Sequence, residues 1–249
     1  TLFIVGLLMP FFDISKKWKK IGLEYFNQEI KFQFFDDGSY LQNSMNYHRV
    51  VLQFLNWVLV LSELNKVKID KDVNRLAYKS VEFLYSFQDP KTGRLPNYGP
   101  NDSALFSRLN VKDLLDFRPQ INSLYYYFNK HSLYEEVDLN EDVFWFYNIK
   151  CIDVELKLSK VNSFPETGYY KLDNDNYFTF IRCAKQVSRP LQADNLHVDI
   201  WADGVNIMRD SGSYKYNSTP EDIKYFMGTA SHNTVNFIVS LFEKNEKFI

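Results

Sequence analysis

The chain has 249 residues, 45% hydrophobic and 24% charged, with 29 Lys+Arg against 31 Asp+Glu and a formal net charge of −2. That balance excludes disorder, a collagen-like rod and a coiled coil as the main state, and it lacks the basic excess of a nucleic-acid binder. The length has room for one large domain or two ordinary ones. Aromatics reach 17%, with 22 Phe and 17 Tyr. Such rings first of all fill cores, and secondarily stack on the apolar faces of sugars.

Thr1 to Phe12 is apolar but too short to span a membrane, lacks a basic leader and breaks at Pro10; it reads as the end of a buried helix. The chain thus reads as beginning inside a domain. From Ile14 to Phe32, Ile14, Trp18, Ile21 and Tyr25 recur at helical spacing, with Lys16, Lys17, Lys19 and Lys20 mostly off that stripe. Asp36-Asp37-Gly38 stops this helix. Ser44 to Leu64 reads as a helix buried on most sides, and Asp72 to Phe87 as one with Val73, Leu76, Ala77, Ser80, Phe83 and Leu84 on one face. A turn at Asp89 to Gly93 and a Pro/Gly-rich loop from Leu95 to Asn101 follow. Helix resumes at Asp102 to Leu109 and at Pro119 to Lys130, which suggests an array of helical hairpins.

After about Asn140 the period shortens. Gly168 to Leu172 and Tyr177 to Cys183 read as strands around the turn Asp173-Asn174-Asp175-Asn176. Leu196 to Trp201 and Val205 to Arg209 flank Ala202-Asp203-Gly204, a second hairpin signal. Thr234 to Val239 is a further strand. Helices first and strands later imply segregated layers, an α+β chain of two domains, residues 1–135 and 136–249. Cys151 and Cys183 form no CxxC pair; they read as two buried thiols, with a disulfide as the alternative.

Three segments concentrate reactive groups. Gln42 to Arg49 precedes an apolar helix, and its plain reading is a helix start capped by Asn43 or Ser44, with His48 and Arg49 in the first turn. Leu95 to Asp102 places Tyr98 in a loop bracketed by prolines. The third segment runs from Arg189 to Asp199, through Arg209 to Gly212, to Gly228 to Thr234. Its Asp194, His197, Asp199, Asp210 and His232 are metal-ligand types, and alternation puts His197, Asp199 and Trp201 on one strand face. No phosphate-cradling GxGxxG loop and no GxSxG elbow occur. Asp36/Asp37 and Asp113/Asp116 could pair as in a hydrolase, but their settings are those of a helix stop and a helix surface.

The strings NSMNYHRVVLQ, PNYGPNDSALF, DFRP, RPLQADNLHVDIWADGVNIMRDSGSYKYN and GTASHNTVNF, in this order, resemble the heparinase II/III-like family of polysaccharide lyases over roughly Ile14 to Phe237. The resemblance implies an incomplete α/α toroid of helical hairpins followed by an antiparallel β-sandwich, of which this chain would carry part of each. It implies β-elimination on an acidic, uronic-acid-containing polysaccharide, with a catalytically silent glycan-binding or polysaccharide-assembly protein as the alternative. By motif position, Asn43 neutralises the uronate carboxylate, with Asn46 and His48 as neighbouring alternatives; Tyr98 moves the proton; and His197 is the remaining catalytic histidine. Asn46, His48, Arg49, Asn101 and Gln192 would contact substrate. A phenol with an ordinary pKa near 10 needs a neighbouring cation or donor to act as a base, and His48, Arg49 and His197 are the candidates. The resemblance further implies one divalent ion, zinc or calcium, on Asp194, Asp210 and His232, no organic cofactor, and a periplasmic or secreted location. The chain departs from some members in having Gln192-Ala193-Asp194 where they have His-Ala-Asp.

Overall fold

The computed structural model describes residues 1–149, 152–174, 176–183 and 192–236. Helix α1 spans Leu2–Leu8 and α2 spans Ser15–Gln33. They pack closely because both carry glycine at the crossing: a Cβ on Gly22 would sit 2.2 Å from the Phe3 nitrogen. This contact sets the buried face of α2 as Ser15, Gly22 and Ile30 and leaves Ile14 and Tyr25 exposed, so the expected stripe through those two residues is displaced.

Helix α3, Met45–Leu64, starts at Ser44, whose hydroxyl accepts from the Tyr47 amide at 3.1 Å. Leu52, Leu55, Val58 and Leu59 are all buried. Helix α4, Lys71–Phe87, is capped by Asp70, and its buried side is the expected set from Val73 to Leu84, extended by Phe87. Helix α5 covers Arg118–Asn129 and α6 covers Glu141–Tyr147.

The helix expected over Asp102 to Leu109 is an irregular loop. Side chains take its amides instead: Asn101 accepts from Ser103 N, Asp102 from Ala104 N, and Gln53 of α3 from Phe106 N. These local bonds offer the backbone an alternative to helix.

The sheet is an antiparallel meander of β1 (Ser163–Phe164), β2 (Tyr169–Asp173), β3 (Tyr177–Arg182), β4 (Val198–Ala202) and β5 (Val205–Met208), in the order β1-β2-β3-β4-β5. Asp203 and Gly204 turn β4 into β5 with φ of 52° and 84°, the left-handed pair that a two-residue hairpin requires. A short helix, α7, at Pro220–Met227 was not expected from the sequence. Thr234 to Asn236 are not strand, and the rest of that expected strand lies outside the described residues. Cys183 is an exposed free thiol, not a buried one; Cys151 lies outside the described residues.

Helices and sheet share one aromatic seam. Phe83 meets Phe164 at 4.7 Å between centroids, and Phe87 meets Phe180 at 5.4 Å. The abundance of Phe and Tyr is therefore mainly core. The seam fixes the start of α3 and the loop after α4 against the ends of β3 and β4, where the reactive side chains gather.

Candidate active site

The loop from Arg94 to Asn101 is pinned to the first turn of α3. Ser44 donates to the Pro100 carbonyl at 2.6 Å, and the Met45 amide donates to the Tyr98 carbonyl at 3.2 Å. Gly99 has φ of 80°, and a Cβ there would lie 2.0 Å from the Asn43 carbonyl oxygen, so glycine is required where the two segments touch. Between this pair and the β4–β5 hairpin opens a cleft of about 450 Å³. Among the described residues its polar lining is Asn46, Asn97, Asn101, Asn206, Arg94 and Arg209, with the Tyr98 ring on one wall and no carboxylate.

Asn46 is buried; its Oδ1 accepts from Arg49 at 2.8 Å while its Nδ2 has no hydrogen-bond partner. Arg49 in turn lies 4.0 Å from the Phe117 ring centroid and donates to the Leu114 carbonyl, so it orients Asn46 rather than reaching the cleft. Asn43 also faces elsewhere: its Oδ1 accepts from the Tyr169 hydroxyl at 3.0 Å. His48 does not approach the cleft. It stacks on Phe83 at 4.9 Å, shares a hydrogen bond with Ser80 at 2.8 Å, and burial pushes its pKa down to about 3. It is a neutral core histidine. Gln192 lines a separate depression with Pro100, Tyr216 and Phe226.

Tyr98 is only 3% exposed. Its ring packs against Phe180, Tyr169 and His197 at 5.4, 5.7 and 6.0 Å between centroids. Burial pushes its hydroxyl pKa well up, with Tyr169 and Asp194 adding to the rise; Arg182 acts in the opposite direction. The Arg182 guanidinium lies 5.1 Å from the Tyr98 ring centroid and 2.7 Å from Asp194. The cation beside the tyrosine is thus Arg182, not His48 or Arg49. Strand alternation could have found it, since Phe178, Phe180 and Arg182 share the buried face of β3.

Asp194, engaged by Arg182, is replaced in the expected metal set by His197. Ligand atoms of His197, Asp210 and His232 all lie within 4.8 Å of one another. His232 Nδ1 is 2.8 Å from Asp210 Oδ2, and His197 Nδ1 is 3.5 Å from the same oxygen. Asp199 and Trp201 share the buried face of β4, and His197, just before the strand, is buried as well. Both His197 ring nitrogens, His232 Nε2 and both Asp199 oxygens lack hydrogen-bond partners. Buried orphans of this kind fit a cation held by imidazole and carboxylate, a donor set suited to a zinc-like ion. Burial lowers the His232 pKa, but the bond to Asp210, the charges of Asp210 and Asp194 and a backbone bond to Phe226 together outweigh it, and the net direction is upward.

Residues 1–126 match the family described as heparinase II/III N-terminus, and residues 157–237 match heparinase II/III-like, C-terminal. The chain is 23% identical over 237 residues to a heparin-sulfate lyase of Bacteroides stercoris, covering 92% of this chain and 33% of that protein. The fold is similar to that of heparinase III (TM-score 0.70, 21% identity, 94% of this chain and 37% of that one). It is also similar to a heparan sulfate lyase from Pedobacter heparinus (TM-score 0.61, 17% identity, 91% and 34%). The chain spans about a third of the length of these relatives. It belongs to the heparinase II/III family.

Proposed function

We propose that this member of the heparinase II/III family forms the catalytic cleft of a polysaccharide lyase acting on a uronic-acid-containing glycosaminoglycan such as heparan sulfate. The observation that carries the reading is the lining of the cleft. Amides, two arginines and a tyrosine face a cleft whose described lining holds no carboxylate. A glycoside hydrolase needs two carboxylates across its cleft. An acidic sugar needs what is present here, donors and cations.

In β-elimination the C5–H bond breaks and its electron pair is held on the carboxylate as an enolate. That pair then forms the C4–C5 double bond as the C4–O4 bond breaks, and O4 leaves with a proton. Asn46 fits the carboxylate better than Asn43, because it lines the cleft with a buried, unpaired Nδ2, whereas Asn43 is not among the lining residues; it would stabilise the charge that develops as the proton leaves. Tyr98 would take the C5 proton and return one to O4. Arg182 is the cation that would stabilise its transient phenolate, and Asp194 holds Arg182 in place. His197, Asp210 and His232 would hold a divalent ion; such an ion would supply positive charge to these buried groups and tie β4 to the 210–232 segment. Because the Tyr98 pKa is raised, the phenolate fraction grows as pH rises, so turnover should increase toward alkaline pH.

The test is to incubate the purified chain with heparan sulfate, heparin and an uncharged polysaccharide while following the ultraviolet absorbance of the unsaturated uronate. Tyr98→Phe keeps the ring and should lower turnover about 10²-fold or more, and Asn46→Ala should do likewise. Wild-type turnover that survives both substitutions would remove the assignment.

A further inference from the structure

A second pocket of about 240 Å³ continues the cleft on the far side of the β4–β5 hairpin; both are lined by Trp201 and Gly204. Its walls come from the turn after α4, the loop before β1, and the β2–β3 hairpin. Six of its lining residues are charged: Lys91, Lys160, Lys171, Asp89, Asp173 and Asp203. Most of these charges are already matched. Lys91 pairs with Asp203 at 2.8 Å, and Lys171 pairs with Asp173 at 2.7 Å. Asp89 is buried and its Oδ1 accepts from both the amide and hydroxyl of Thr92.

Two groups are left over. Lys160 is exposed and has no ion pair among the described residues. The Trp201 indole Nε1–H lies in a side chain only 4% exposed and has no hydrogen-bond partner. An indole nitrogen is a donor and nothing else, so burying it unpaired is costly unless a ligand completes it. Lys171 is fully buried beneath them; burial lowers its pKa, Asp173 works against this, and the charge of nearby Lys160 adds to the lowering. Lys160 and Lys171 are thus close enough to repel, and Asp173 is paired with Lys171.

We propose that this pocket is a second sugar subsite, in which Lys160 and the Trp201 Nε1–H receive a carboxylate or sulfate ester of a sugar unit beyond the one in the cleft. The proposal rests on the lyase reading of the cleft. Trp201 stacks on Phe178 at 5.5 Å with an interplanar angle of 10°, which fixes its ring plane, and the residue lines both pockets. A chain lying across the hairpin would then place one unit at Asn46 and Tyr98 and a further unit at Lys160.

The experiment compares binding of a heparan sulfate hexasaccharide, its desulfated counterpart and a disaccharide, by calorimetry, to the wild-type chain, Lys160→Ala, Lys160→Arg and Asn46→Ala. Lys160 is exposed, so its replacement leaves the fold intact. Lys160→Ala should weaken hexasaccharide binding about tenfold, as expected for one charge-assisted contact. It should leave disaccharide binding unchanged, and Lys160→Arg should restore most of the loss. If the loss is also seen with the desulfated hexasaccharide, the anion is a carboxylate; if it is confined to the sulfated one, it is a sulfate. Unchanged hexasaccharide affinity in Lys160→Ala, with Asn46→Ala impaired, would overturn the subsite and leave the lyase reading standing. Failure of the wild-type chain to bind any of these saccharides would overturn both.

Discussion

His48 offers a test that needs no substrate. Its imidazole is 1% exposed, stacked on Phe83 and bonded to Ser80, and its pKa falls from an ordinary 6.5 to about 3. The native state therefore refuses a proton that the unfolded chain accepts. The resulting stability is complete above pH 6.5 and is lost as pH falls toward 3. Between pH 7 and pH 5 the unfolded chain gains about three-quarters of a proton at this site, and the loss is about 2 kcal/mol. Urea unfolding of the wild-type chain and of His48→Gln at both pH values isolates the effect. Glutamine retains a partner for Ser80 but does not titrate. The variant is less stable at both pH values through the lost stack, yet its stability should fall by about 2 kcal/mol less than wild type on going to pH 5. Parallel losses in the two proteins would refute the burial argument and reopen His48 as an accessible, substrate-facing group.

Asp142 gives the opposite sign. Burial pushes its pKa from 3.8 up to about 6, partly offset by Asn110 and Gln120, so its contribution to stability falls as pH rises from 4 to 6. Asp142→Asn should be more stable than wild type at pH 7 by up to about 3 kcal/mol; equal midpoints in urea at pH 7 would contradict this. Arg182→Met leaves the buried Asp194 without its 2.7 Å partner and should cost about 3 kcal/mol or more, read as a drop in melting temperature; a near-neutral result would mean that the pair is dispensable. Elemental analysis after equilibration with zinc or calcium and dialysis should find about one ion per chain in wild type and none in His232→Ala. A metal-free wild type would dismiss the ion without touching the cleft.

Much of the fold was legible in local pattern. The stripe from Val73 to Leu84, the cap at Ser44 and the Asp203-Gly204 turn each depend on neighbours within a few residues, so spacing and backbone chemistry identify them. Alternation likewise put His197, Asp199 and Trp201 on one face, because a strand has no other geometry available. The motifs singled out Tyr98 and the 194–232 segment as candidates, and the fold brings the Tyr98 ring within 6.0 Å of His197. What spacing could not settle was which atoms face which. Asn43 and Asn46 are three residues apart with the same side chain, and only the contact with Tyr169 on a distant strand turns one of them away. His48 reads as a first-turn polar group until Phe83 and Ser80 of the next helix enclose it. His197 rather than Asp194 stands with Asp210 and His232, because Arg182, twelve residues earlier in the chain, captures the aspartate. The stripe on α2 moved for the same reason, since a glycine contact with α1 chose the buried face. Each of these outcomes depends on a partner brought close by the fold, and burial in a low-dielectric interior gives that partner the deciding weight.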